Sequence, residues 1–268
     1  LTTKELIDRY IDKNRGLKST VKLFQPFIDL IYPPRCGICQ EFLWKDRAKK
    51  NQRELLFCQP CFDGFSEITS PLCTVCGRPF ASMVEEDHPC EDCLSKTPFY
   101  DLVRAPYLYE GGIMEAIHQF KYSGRTHLAD SLGPLLAVFV KEWMGTTPEC
   151  LTMPVPLHPK RLRERGFNQS LLLARHIASL LGTKLDFLSL RRIRYTQPQT
   201  GLKSEERKRN VRKAFEITDQ EAVKGRDILL VDDVTTTGST LNECARVLKR
   251  AGAERVFGSV LARTAGIL

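Results

Sequence analysis

Two groups of residues in this chain have the types and spacing to do chemistry. The first is residues 228–240, ILLVDDVTTTGST, where an apolar strand runs into two carboxylates, a Thr/Gly loop and then a helix. Backbone N–H groups of residues 235–240, freed by Gly238 and aimed by the helix N-terminus, are suited to cradle a 5′-phosphate. Thr235, Thr236, Thr237, Ser239 and Thr240 add hydroxyl donors. Asp232 and Asp233, fixed at the strand end, are suited to accept hydrogen bonds from ribose hydroxyls, and one can reach a Mg2+ ion through water. A pair of aspartates that merely capped a helix would not need the rest of the pattern.

The second group is cysteine. Eight of the ten cysteines form four Cys-x-x-Cys pairs: Cys36/Cys39, Cys58/Cys61, Cys73/Cys76 and Cys90/Cys93. Each such turn brings two thiolates to one metal, and two turns complete a tetrahedral four-cysteine site. Two consecutive zinc ribbons, hence two structural Zn2+ ions, are the first reading; a cross-braced pairing satisfies the same spacings. Sites closed by four thiolates leave no open position, so no catalysis is assigned to zinc. His88, beside the last pair, reads as a surface residue, and the isolated Cys150 and Cys244 as small buried apolar ones.

Positive charge is concentrated rather than spread. Residues 158–176 hold five Lys/Arg against one Glu, and residues 190–213 nine against two, while the whole chain is only +8. The remainder is therefore net acidic, and the two basic segments call for a polyanionic partner. Lys160, Arg161, Arg163 and Arg165, with Gly166 allowing close backbone approach, are suited to a pyrophosphate. Arg194, Lys203, Arg207 and Arg209 belong to a long loop of the kind that closes over a bound anion.

These groups need elements to position them. Residues 1–35 read as a helical leader, with Leu6, Ile7, Tyr10 and Ile11 at helical spacing and Pro33–Pro34 ending it. Residues 36–95 are Cys-rich and lack long periodic segments, so metal replaces a core. Residues 100–268 alternate strands (102–109, 151–156, 185–190, 214–217, 227–231, 255–262) with helices (113–122, 128–143, 169–181, 240–250). That order predicts an α/β domain with a mainly parallel sheet, whose ligands bind where strand C-termini meet helix N-termini. The charged N-terminal stretch has no apolar core of a secretory signal, and no apolar run is long enough to cross a membrane. Abundant cysteine without an export signal predicts a cytoplasmic protein.

The motifs also resemble a named family. PPRCGIC, HQFKYSGR (118–125), VPLHPKRLRERGFNQS (155–170), RYTQPQTGLKSEERKRNV (194–211) and the 228–240 loop together resemble the ComF family: a double zinc ribbon followed by a type I phosphoribosyltransferase fold. The resemblance implies that Asp232, Asp233 and Thr235–Thr240 form the loop for 5-phosphoribosyl-1-pyrophosphate (PRPP), that residues 157–168 are the pyrophosphate loop, and that the eight cysteines bind zinc. It implies a role in natural competence, in cytoplasmic handling of incoming single-stranded DNA. In 6-oxopurine transferases an Asp acts on the base where this chain has Thr236. No C-terminal hood follows the last strand, so a hood would come from residues before about 125.

Three readings follow from this resemblance. One is a DNA-handling protein that keeps a PRPP or nucleotide 5′-phosphate site. Another is a Mg2+-dependent PRPP transferase of unknown acceptor, in which Asp232, Asp233, Arg165 and Arg194 serve catalysis and cations stabilise the departing pyrophosphate. The third is a non-catalytic scaffold that contacts a DNA-uptake helicase.

Overall fold

The computed structural model describes residues 30–31, 33–43, 56–80, 86–145, 147, 149–196 and 204–265, and side chains throughout these except those of 204, 205, 207 and 208. The leader's helical spacing at residues 6–11, and Lys203 of the basic loop, lie outside these residues, as does the Arg207 side chain.

The principal sheet is built on β7 (Ile228–Thr235). It lies between β8 (Val256–Arg263) and β3 (Leu151–Pro154), with β1 (Leu102–Arg104) beyond β8 and β4 (Lys184–Leu185) beyond β3. All these pairings are parallel, and the short β2 (Tyr107–Leu108) also pairs parallel with β8. A central parallel strand is covered on both faces, which is why 228–231 reads as an unbroken apolar run. Alternate side chains then enter different cores. Leu229 and Val231 join one core with Phe120, Leu132, Leu136, Leu173 and Ile177. Ile228 and Leu230 join the other with Leu241, Cys244, Leu248 and Val260.

The first core is covered by α3 (Gly111–Tyr122), α4 (Ala129–Met144) and α6 (Gln169–Leu181). The helices α4 and α6 approach so closely that a β-carbon on Gly133 would stand 2.3 Å from the His176 ring. The second core is covered by α8 (Ser239–Arg250). A separate antiparallel pair, β5 (Leu190–Arg192) with β6 (Phe215–Ile217), carries α7 (Ser204–Val211) between its strands. Two single-turn helices, α1 (Gln59–Asp63) and α2 (Glu91–Ser95), follow Cys58 and Cys90, and α5 (Pro159–Arg165) follows β3.

Three local differences from the expected pattern have plain causes. The strand expected over 102–109 breaks at Ala105–Pro106, where proline has no N–H to give the ladder. The strand expected over 185–190 breaks where Asp186 turns the backbone, accepting from the N–H groups of Leu188 and Ser189. Residues 159–165, expected as loop, are helical. Pro159 occupies the first helical position, where its missing N–H costs nothing, and His158 Nδ1 accepts from Lys160 N–H. Among the described residues no helix is long and apolar enough to cross a membrane.

Candidate functional site

The cysteines resolve into consecutive sites: Cys36/Cys39/Cys58/Cys61 and Cys73/Cys76/Cys90/Cys93, with all ligand sulfurs of each set within 4.8 Å of one another. Four sulfurs at about 2.3 Å from one ion stand about 3.8 Å apart. Cys39 and Cys58 Sγ are 3.6 Å apart, and Cys76 and Cys90 Sγ 3.8 Å, so both sets fit a tetrahedral zinc ion. The backbone favours the thiolate form in each. Cys73 Sγ accepts from Cys76 and Cys90 N–H, and Cys36 Sγ from Ile38 and Cys58 N–H. Contact with the Cys76 thiol and these amides lower Cys73 to about 3; at Cys36 burial pushes upward, yet the amides hold it at about 7. His88 stacks on Phe80 outside the set, and Cys150 and Cys244 are buried singly.

The loop at residues 235–240 lies at the C-terminal edge of the sheet. Gly238 sits at φ +72° at the start of α8, a left-handed conformation that side-chain-bearing residues rarely take. Thr237 Oγ1 and Ser239 Oγ are 2.7 Å apart, so both hydroxyls converge at the helix N-terminus. Thr235 is buried and registers with Arg263, while Thr236 and Thr240 are half-buried on either side of the turn.

The acidic pair is held from two directions. Ser170 Oγ, in the first turn of α6, donates to Asp232 Oδ1 at 2.8 Å. Lys121 Nζ, from the end of α3, lies 2.9 Å from Asp233 Oδ2, with both side chains largely buried. Asp233 Oδ1 accepts from Val234 N–H, and Asp232 Oδ1 also accepts from Asp233 N–H. The bonds from Ser170 and Asp233 both fall on Asp232 Oδ1 and leave Oδ2 without a donor among the described residues. Desolvation, reinforced by the Asp233 charge and opposed by Lys121 and Ser170, raises Asp232 to about 7. Burial works against the charge on Lys121, but the Asp233 carboxylate more than offsets it and leaves Lys121 above its usual value.

The expected pyrophosphate residues lie on α5, which follows β3, the neighbour of β7. Asn168 ties this segment down: its Nδ2 donates to Val155 O while its Oδ1 caps α6. Arg165 lies over the Tyr122 ring, next in sequence to Lys121, and Gly166 ends α5 at φ +83°. Lys160 and Arg161 face the Tyr195 ring at 4.7 and 5.9 Å. The Arg194 guanidinium donates to the carbonyls of Asn210 and Arg212 at 2.7 and 2.6 Å, holding the end of α7.

The second cysteine site forms a wall beside the loop. Val103 N–H donates to Val75 O, Arg104 reaches Thr74 O, and buried Arg263, at the end of β8, donates to Cys76 O. Phe99 N–H donates to Asn242 Oδ1 on α8 at 2.7 Å, and the Tyr100 hydroxyl lies 3.1 Å from where a β-carbon on Gly238 would be. Lys121, Ser170, Tyr100, Asn242 and Arg263 carry no sequence signal of a site. Lys121 and Ser170 did stand in the motif stretches, but nothing local reveals their partners.

The model for the double zinc ribbon domain matches residues 27–94, and that for the phosphoribosyl transferase domain matches residues 168–265. DNA utilization protein YhgH of Escherichia coli (strain K12) is 37% identical over 198 residues, covering 72% of this chain and 84% of that protein. Competence protein F of Haemophilus influenzae is 31% identical, covering 72% and 85%. Competence protein ComFC of Bacillus subtilis is 28% identical, covering 73% and 78%.

Proposed function

Because the chain belongs to the ComF family, a double zinc ribbon joined to a phosphoribosyltransferase domain, we propose that it binds the 5-phosphoribosyl group of PRPP or of a nucleotide at residues 232–240, and handles single-stranded DNA in the cytoplasm. The observation that carries this reading is the juxtaposition at the end of β7. Asp232 is steadied by Ser170 with one oxygen left over, beside a glycine-turned helix N-terminus with converging hydroxyls. A ribose hydroxyl would donate to Asp232 Oδ2 and the 5′-phosphate would accept from the loop amides. The DNA role rests on the basic segments and on relatives named for DNA utilization and competence.

Calorimetric titration with PRPP and Mg2+ tests the site. Asp232→Asn weakens binding about tenfold, as for a lost hydrogen bond to a charged group, whereas absence of PRPP binding by the native protein ends the reading. Affinity for single-stranded DNA falls steeply with salt as counterions are released; a flat salt dependence would remove the DNA role.

Catalysis is a second reading, favoured by the cations of α5 at the same sheet edge. Magnesium bound with the diphosphate would add positive charge where pyrophosphate leaves, and the free oxygen of Asp232 would help hold it. Arg165 and Lys160 would bind that leaving group. Pyrophosphate release from PRPP across a panel of acceptors decides it.

A further inference from the structure

Along one flank of α8 runs a cavity of about 700 Å3. One end opens on Thr235, Thr237, Gly238 and Ser239 of the phosphate loop. One wall is the second cysteine site with residues 95–100, and the other is residues 209–213. Its two carboxylates are already engaged: Asp92 by Arg78 at 2.7 Å, and Glu243 by Arg246 at 2.6 Å and by Lys213 N–H. Lys96, Arg209, Arg212, Lys213 and Arg250 line the cavity with no ion pair among the described residues. Arg263, 3% exposed, and Arg78 each present a buried Nε–H with no protein acceptor. Arg263 and Arg78 also face the thiolates of the second cysteine site, so it is the unpaired cations of the groove that call for anionic oxygens. Phe99, 46% exposed on the same wall, offers a face on which a base can stack.

The order of groups gives a direction. Asp232 and Asp233 do not line the cavity; they face Ser170 and Lys121 instead. A nucleotide with its sugar hydroxyls on the acidic pair and its phosphate on the loop has only that phosphate's remaining ester oxygen turned toward the cavity. The chain attached there is the 5′ neighbour. A group on the 3′ oxygen would meet the acidic pair, and a 3′-phosphate would be repelled by it. We infer that this groove holds the backbone of a DNA single strand whose 3′-terminal nucleotide sits in the phosphoribosyl site, its free 3′-hydroxyl on Asp232. The inference rests on the phosphoribosyl reading above and adds a path and a polarity to it.

The test is fluorescence anisotropy with one 5′-labelled single strand carrying a 3′-hydroxyl or a 3′-phosphate, on the zinc-loaded full chain. The 3′-hydroxyl strand binds about tenfold more tightly, the scale of one charge-assisted hydrogen bond against a like-charge contact. Ribose 5-phosphate, titrated as competitor, abolishes that preference. The double reversal Lys96→Glu with Arg250→Glu, and separately Phe99→Ala, lower strand affinity by more than they lower ribose 5-phosphate affinity measured by calorimetry. Equal binding of the two strand ends overturns the polarity, and unchanged strand affinity in these variants overturns the path, in both cases with the phosphoribosyl site intact. Failure of the native protein to bind ribose 5-phosphate removes the phosphoribosyl reading and this inference together.

Discussion

The two four-cysteine sites use the same ligand chemistry and differ in what they fasten. The first is attached to the helical face, through Leu56 N–H to Ser131 Oγ and Gln119 to Ile38 O, and its Phe57 and Phe65 enter that core. The second is attached to β1, β8 and α8; its neighbour Phe99 bonds Asn242 of the helix, and the Tyr100 hydroxyl lies where a side chain on Gly238 would reach. A closed metal site offers no chemistry of its own. What it contributes depends on the backbone it immobilises, and the second immobilises the wall beside the proposed phosphoribosyl site.

The largest effect expected is on that distinction. Cys90→Ser in the second site reduces ribose 5-phosphate affinity about a hundredfold, the scale on which misplacing a binding group by about 1 Å is felt. Cys58→Ser in the first site lowers stability by several kcal/mol, since structural zinc contributes on the order of 10 kcal/mol to folding. Its remaining folded fraction keeps affinity within a few-fold. Calorimetry alongside thermal melts checks both, and equal losses of affinity would erase the distinction.

Lys121 offers the first site a route to the acidic pair, because α3 also carries Gln119, which binds Ile38 O. Lys121→Met leaves Asp233 buried beside no cation and costs about 3 kcal/mol of stability. Adding Asp233→Asn recovers part of that loss in urea unfolding, whereas strictly additive losses would show that the pair does not interact. On the second site's side, Gly238→Ala forces a side chain at φ +72° against Tyr100. It costs about 1–2 kcal/mol and weakens ribose 5-phosphate binding by a comparable factor; melts and calorimetry with no change would contradict the loop geometry.

A further expected effect is a pH dependence. Asp232 titrates at about 7 in the fold against about 4 unfolded. Between those values the folded state holds a proton that the unfolded chain has released, so this group's contribution to stability falls as pH rises from about 4 to about 7. Asp232→Asn therefore stabilises the protein increasingly across that window and has no such effect below about pH 4. Chemical unfolding at several pH values would show a flat difference if the carboxyl were ordinary.

The loop, the cysteine sets and the parallel core were legible because each is written locally: a strand-to-helix turn, paired thiols, and alternation of apolar runs. The strand breaks at Pro106 and Asp186 were misread because apolar content outweighed a missing N–H and a side-chain turn. The partners of Asp232 and Asp233 come from helices 62 and 112 residues away in sequence, and no periodicity encodes such a meeting. The same holds for Arg263 and Cys76. Arg194 adds a contact of the same kind, since a basic residue in a basic loop reads as an anion ligand while in the fold its Nη2 also donates to backbone carbonyls 16 and 18 residues away.

The most direct test follows the backbone amides of Thr237, Gly238, Ser239 and Thr240 by nuclear magnetic resonance while ribose 5-phosphate is added. The account predicts that these four shift together and saturate with a single affinity, with Asp232→Asn weakening the titration. Shifts confined to α5 or α7, with the four loop amides unmoved, would contradict it.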